Sequence, residues 1–195
     1  MDFHSGAFSF LLPPVTTSAT ILMTGQAMQR ALARIAHEIA ERNEDGRQVI
    51  LAGVPRGGAL LATRLAKLLE GIWQHPVEYG SLDVSMHRDD LDQQGVMVVH
   101  ATDLPSDING KTVVIVDDVL FSGRTARAAL DALHDLGRPH RIQLAVLIDR
   151  GHRELPIKPD FVGKNVPTAR QERVDVCFLE EHGQDSVHLH RLSPP

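Results

Sequence analysis

Residues 111–125 read KTVVIVDDVLFSGRT, and few architectures can accommodate that run. The segment TVVIV at 112–116 is apolar or β-branched throughout, with no polar residue at alternate positions. A strand with one wet face alternates, whereas a continuous apolar strand needs cover on both faces, as in a parallel sheet with helices on either side. Two aspartates end the strand, a Ser-Gly-Arg-Thr turn follows, and residues 125–136 (TARAALDALHDL) read as a helix stopped by Gly137 with Pro139 beyond it. Strand, turn and helix in that order open a βα unit.

The rest of the chain repeats the theme. Apolar residues at helical spacing (Ala27, Leu32, Ile35, Ala36, Ile39) predict a first helix over 26–42, closed by Asn43-Glu44-Asp45-Gly46. Residues 48–55 predict a short buried strand, then a Gly-rich turn and a helix over 59–70. Further strands are predicted at 77–84, 96–100 and 142–149, with a polar loop at 87–95. A long polar connection follows residue 149, and two alternating runs at 174–179 and 187–189 predict a terminal hairpin. The expected fold is therefore α/β, a mostly parallel twisted sheet flanked by helices with a C-terminal β-hairpin. Residues 1–25, with Pro13-Pro14 interrupting a short apolar piece and no preceding Lys or Arg, read as a loose leader or arm, leaving 26–195 as a single domain.

Composition narrows the function. Formal net charge is −5, so a basic coat for non-specific DNA binding is missing and any nucleic-acid contact must be a local patch. Aromatics are 4% of the chain, too few for a recognition surface of stacked rings. The single Cys177 excludes an intramolecular disulfide and a multi-cysteine zinc site, and it suits the reducing cytoplasm. No apolar run approaches the roughly 18 residues of a membrane span, so no membrane partner is expected.

Chemistry concentrates at 117–125. Amides of a Gly-containing loop, the Ser122 and Thr125 hydroxyls and the positive end of the following helix form a cradle for a phosphate monoester. Asp117 and Asp118 would repel that phosphate, so they face something else, either sugar hydroxyls or the Mg²⁺ that accompanies a polyphosphate. An acidic strand end and a capped helix account for Asp118 and Thr125 separately but not for the whole constellation.

This segment resembles the signature of the type I phosphoribosyltransferases, in which two acidic residues after a hydrophobic strand precede a T/S-G-x-T loop that binds 5-phosphoribosyl 1-diphosphate (PRPP). Beyond it, SMHRDDLD at 85–92, LGRPH at 136–140, the stretch 143–169 and ARIAHEI at 33–39 are similar to the bacterial pyrimidine-operon regulators that are also uracil phosphoribosyltransferases. The likeness covers about residues 26–187, and 149–168 is its most specific part.

The resemblance implies the type I phosphoribosyltransferase fold and the reaction of uracil with PRPP to UMP and diphosphate, with Mg²⁺ bound mainly through PRPP, near Asp117 and Asp118. Catalytic roles fall on Asp117, Asp118 and Arg88, the last in a loop that would close over the diphosphate. The stretch Val119, Leu120, Phe121, Ser122, Gly123, Arg124 and Thr125 would bind PRPP through its 5′-phosphate. Arg56 and Gly57 would meet the diphosphate, and Ile148, Asp149 and Arg150 the uracil. The family also implies binding of pyrimidine-operon leader mRNA, controlled by UMP or UTP, through His37, Arg153, Lys158 and Lys164, with Arg34 beside them, and assembly into dimers or larger homo-oligomers.

Three positions depart from the family pattern. The diphosphate loop more usually reads Thr-Arg-Gly, which suggests that an arginine is missing at Gly57 and that Arg56 stands one place early. His87 replaces a tyrosine in the loop carrying Arg88, and Ala33 replaces a hydroxyl residue of the RNA surface. Slow turnover is the expected consequence. Besides a bifunctional regulator, a salvage enzyme without an RNA role and a catalytically weak UMP-sensing RNA binder fit the same residues.

Overall fold

The computed structural model describes residues 17–88, 101–104 and 107–192. In chain order its elements are β1 (Thr17–Thr24), α1 (Gly25–Arg42), β2 (Val49–Gly53), α2 (Gly57–Trp73), β3 (Glu78–Ser81), β4 (Thr112–Leu120), α3 (Arg124–Leu136), β5 (Arg141–Asp149), β6 (Phe161–Asn165), β7 (Arg173–Cys177), the one-turn α4 (Leu179–His182) and β8 (Ser186–Leu192). Five strands form a parallel sheet in the order β3-β2-β4-β5-β6. The strand predicted at 96–100 and most of the loop after Arg88 lie outside the described residues.

Two cores explain why the central strands are apolar throughout. Successive side chains of a strand point to opposite faces. Leu51, Val114, Val116 and Leu147 pack on one side with α1 and α2, while Ile50, Val113, Ile115 and Val146 pack on the other with α3. Val113 and Val114 are both fully buried, each contributing roughly 1.5–3 kcal/mol relative to an exposed side chain.

Helix boundaries follow the signals in the sequence. Thr24 Oγ1 accepts from the Ala27 amide at 3.4 Å to open α1. Asn43 closes it, donating from Nδ2 to Ile39 O at 2.9 Å and to Gln143 Oε1 of β5 at 3.0 Å. No helix among the described residues is long and apolar enough to cross a membrane.

A second sheet departs from the sequence reading. The expected hairpin exists as β7 and β8, in register through Val176 and Val187, but β1 pairs with β8 on its far side to give β1-β8-β7. Residues 17–24, assigned to the leader, are thus a strand of the fold, anchored by the buried Met23. Residues 1–16 lie outside the described residues. The polar connection after residue 149 likewise contains β6, whose mixed sequence FVGKN reflects its place at the edge of the parallel sheet.

Charged clamps seat the small sheet on the large one. Arg64 of α2 donates to Asp185 Oδ1 at 2.8 Å and to Glu180 Oε2 at 2.5 Å, with its guanidinium 5.4 Å from the ring centre of the buried Phe178. Lys164 Nζ of β6 donates to Leu22 O at 2.7 Å, and β7 packs against β4.

Candidate active site

The carboxyl end of β4 carries Asp117 and Asp118. Each turns one oxygen to the main chain, Asp117 Oδ1 accepting from the Asp118 amide at 2.9 Å and Asp118 Oδ1 from the Val119 amide at 2.8 Å. Asp117 is 8% exposed. Its pKa is pushed well above the ordinary carboxylate range, first by loss of solvation and then by the charge of Asp118, with the positive charge of Arg88 opposing. Asp118 is also raised, again mainly by burial, with local amides opposing and Asp175 of β7 adding repulsion. Among the described residues these two join no larger group of His, Cys, Asp or Glu suited to hold a metal. A pair of hard oxygen donors fits Mg²⁺ carried in by a polyphosphate rather than caged by protein alone.

A carboxylate whose folded pKa is raised stabilises the fold only while protonated. That contribution is complete below the unfolded value of about 3.9 and is lost as pH rises through the folded pKa. Asp117→Asn keeps the Oδ1 acceptor and removes the charge. Its Tm should exceed the parent's by several degrees at pH 8, at about 2–4 °C per kcal/mol, with the gap closing toward pH 5. Thermal denaturation at both pH values tests this, and a gap independent of pH would contradict it.

Beside the aspartates lies the turn from β2 into α2. Val54 N donates to Val116 O at 2.9 Å, and the next residues bring Gly57 against Asp118. A Cβ at position 57 would stand 2.8 Å from Asp118 Cγ and closer still to Oδ2. Any side chain at position 57 would displace Asp118 as it stands here, which is the physical reason a glycine fits where the family pattern suggests an arginine. The loop's arginine is Arg56, which is exposed at the mouth of the turn.

The loop from Phe121 to Thr125 enters α3 through Gly123, whose φ of +93° lies where only glycine is unstrained. No side chain caps α3, and Ser122 Oγ accepts from the Arg124 amide at 3.4 Å. Val119 and Leu120, expected to bind PRPP with the loop, belong to β4, with Leu120 buried in the α3-side core and Val119 packed against the other. Continuous pairing with Ile148 and Asp149 of β5 holds them in the strand.

Ile148, Asp149 and Arg150 do stand beside this loop, but their side chains have other partners. Ile148 is wholly buried in the core. Asp149 accepts from Arg153 Nη2 at 2.5 Å and from the Gly151 amide at 3.0 Å. The Arg150 guanidinium lies 4.1 Å from the Phe121 ring centre and donates to Thr168 Oγ1 at 3.2 Å and Ala169 O at 3.1 Å. Only tertiary structure reveals Thr168 and Ala169 as supports of this corner.

Arg88 follows a short 3-10 turn and is close enough for its charge to act on Asp117. Arg127 of α3 donates to His87 O at 3.0 Å, and His87 Nε2 lies 3.4 Å from Asp135 Oδ2. The main chain and ring of His87 thus tie this turn to α3. Asp175 was missed by sequence reading; it pairs with Arg173 at 2.6 Å and with His190 at 3.3 Å, and nothing in the pattern RVDVC sets it apart.

The residues expected to meet RNA separate into two groups. His37 on α1, Lys158 before β6 and Lys164 on β6 are exposed. Arg34 joins α1 to β6 by donating to Val162 O at 2.9 Å and Gly163 O at 2.6 Å. Glu38 and Glu41 share this region, lining a cavity with Arg42, Asp160 and Phe161. Arg153 instead turns inward onto the 121–125 loop.

Comparisons with known proteins agree with this architecture. The chain matches the phosphoribosyl transferase domain family over residues 18–181. It is 59% identical over 174 residues to "Bifunctional protein PyrR" of Roseiflexus sp. (strain RS-1), covering 88% of this chain and 95% of that protein. Identity to the protein of the same description from Streptomyces coelicolor is 54% over 169 residues, covering 86% and 88%. Among solved structures, a hypoxanthine-guanine phosphoribosyltransferase from Bacillus anthracis superimposes with a TM-score of 0.63 at 19% identity, over 78% of this chain and 85% of that one, a likeness of fold.

Proposed function

Because the chain belongs to the phosphoribosyltransferase family, and within it to the bifunctional PyrR proteins, we propose that it makes UMP and diphosphate from uracil and PRPP and binds pyrimidine-operon leader mRNA under the control of UMP or UTP. The observation that carries the enzymatic reading is the buried Asp117–Asp118 pair beside a helix-opening Gly loop at the end of the central strand.

In the reaction a bond forms between uracil N1 and the anomeric carbon as the bond to the diphosphate oxygen breaks; the diphosphate leaves with the bonding pair, and the N1 proton passes to it. The ribose passes through a state with oxocarbenium character. Asp117 and Asp118 hold the ribose hydroxyls and offset the developing positive charge in a poorly solvated site. Amides of the loop Phe121–Thr125 and the N-terminus of α3 take the 5′-phosphate. Arg56 adds charge for the diphosphate while Gly57 leaves room for Asp118, and Arg88, whose charge reaches Asp117, adds a second cation. Mg²⁺ bound through PRPP would neutralise the leaving diphosphate. Uracil lies at the end of β5, where the side chains of Ile148, Asp149 and Arg150 are committed elsewhere and the main chain is left to read the base.

For RNA, the exposed His37, Lys158 and Lys164 supply contacts to phosphate, and RNA shape and unpaired bases supply selectivity. Exposed Ile21 and Met86 suit assembly into a homo-oligomer. The unpaired Cys177 and the charged substrates suit the cytoplasm. One observation favours a salvage enzyme without an RNA role: Glu38 and Glu41 dilute the basic face, and Arg153 faces away from it.

The deciding experiment is titration with the host's pyrimidine-operon leader RNA, with and without UMP, at two salt concentrations, beside a Mg²⁺-dependent UMP assay. Binding tightened by UMP and weakened by salt, together with UMP formation, is the expected result. UMP formation with weak, UMP-independent RNA binding would leave the salvage reading, and no UMP formation would remove the enzymatic one.

A further inference from the structure

The side chain of Arg153 takes no part in the reaction described above, yet it is among the most heavily engaged in the molecule. Nη1 donates to Phe121 O at 2.8 Å and to Gly151 O at 3.2 Å, Nε to Ile157 O at 3.1 Å, and Nη2 to Asp149 Oδ2 at 2.5 Å. Next to it, the amides of Glu154 and Leu155 both donate to Ser122 O, at 2.9 and 3.2 Å. Two consecutive carbonyls of the loop, those of Phe121 and Ser122, are therefore gripped from outside by one turn.

Peptide geometry gives that grip a consequence. In a trans peptide the C=O of one residue and the N–H of the next point in opposite directions. Holding the Phe121 and Ser122 carbonyls toward residues 153–155 turns the amides of Ser122 and Gly123 the other way. Those amides join the N-terminus of α3 as donors for an anion. If the carbonyls were free to rotate, an oxygen could replace an N–H in the cradle and repel the ligand. The grip is firm on its own side, because Asp149 belongs to β5 and pairs with Leu120 of β4. Arg124 and Arg170 both pair with the Glu154 carboxylate, adding a second fastening to the same turn.

We propose that Arg153, with the turn it anchors, is a positioning residue for the phosphate site, orienting the 121–125 loop so that its amides receive the 5′-phosphate of PRPP and UMP. This deepens the proposed function and rests on its placement of the 5′-phosphate at this loop. Arg153 acts through the loop and does not touch the phosphate.

The test compares UMP with uridine, which differ only in the phosphate. Calorimetric titration of the full chain with each ligand, and KM measurements for PRPP and uracil, are made on the parent, Arg153→Ala and Arg153→Lys. Arg153→Ala should weaken UMP and raise the KM for PRPP about tenfold or more, with uridine affinity and the KM for uracil within about twofold of the parent. Arg153→Lys keeps the charge opposite Asp149 but loses the guanidinium fork, so it should fall between the two. If Arg153→Ala does not fold, the lysine variant decides alone.

Equal weakening of UMP and uridine, or a parental preference for UMP in the lysine variant, overturns the proposal. A parent that neither binds UMP nor forms it overturns the underlying functional reading instead, and this outcome is read before any variant is compared.

Discussion

Asp118→Asn should fold as the parent does and form UMP about 10²–10³-fold more slowly in kcat. The amide keeps an oxygen for the Val119 N–H bond of 2.8 Å, so the local main chain has no cause to move. What disappears is the negative charge, and in a site stripped of water that charge offsets the positive character of the ribose in the transition state. The measurement is kcat for UMP formation at saturating PRPP and uracil, with a melting curve to confirm folding. A parental rate would mean that the chemistry lies elsewhere.

Charge reversal at two exposed lysines tests the other activity. Lys158→Glu together with Lys164→Glu should weaken leader-RNA binding about 100-fold at low salt and flatten the salt dependence of log K by about two, because two phosphate contacts are lost. Lys164 gives up its hydrogen bond to Leu22 O, one of the clamps on the small sheet, so a melting curve accompanies the assay; its side chain is exposed, and neither lysine belongs to the β4, α2 or α3 ends of the site. UMP formation should therefore stay within about twofold of the parent. RNA affinity unchanged by the double reversal would move the RNA surface away from β6.

Both variants probe residues that the sequence marks, while other parts of the molecule carry no mark in the sequence at all. Asp118 stands in a run whose pattern is distinctive in itself, and the lysines in one that the family resemblance singles out. Arg153 stands in such a run too, and its resemblance-based role was contact with RNA; its partners Phe121 O and Asp149 direct the side chain inward. Gly57 stands where the family pattern suggests an arginine, and only the fold shows that Asp118 lies against it.

The dividing line is the range of the information. The central strand at 112–116, the helices of 26–42 and 125–136, and the loop from Phe121 to Thr125 were legible because apolar periodicity, Gly stops and turn residues act between near neighbours along the chain. The parallel arrangement followed from the lack of polar alternation, which already demands cover on both faces. Tertiary structure alone decided that residues 17–24 form a strand, because their partner is 186–192 at the far end of the chain. It alone decided that FVGKN pairs with β5, that Asp175 acts on Asp118, and that the turn at 153–155 grips the phosphate loop. Each of these depends on segments separated in sequence meeting in space, and an edge strand or a polar turn carries no local pattern that names its partner.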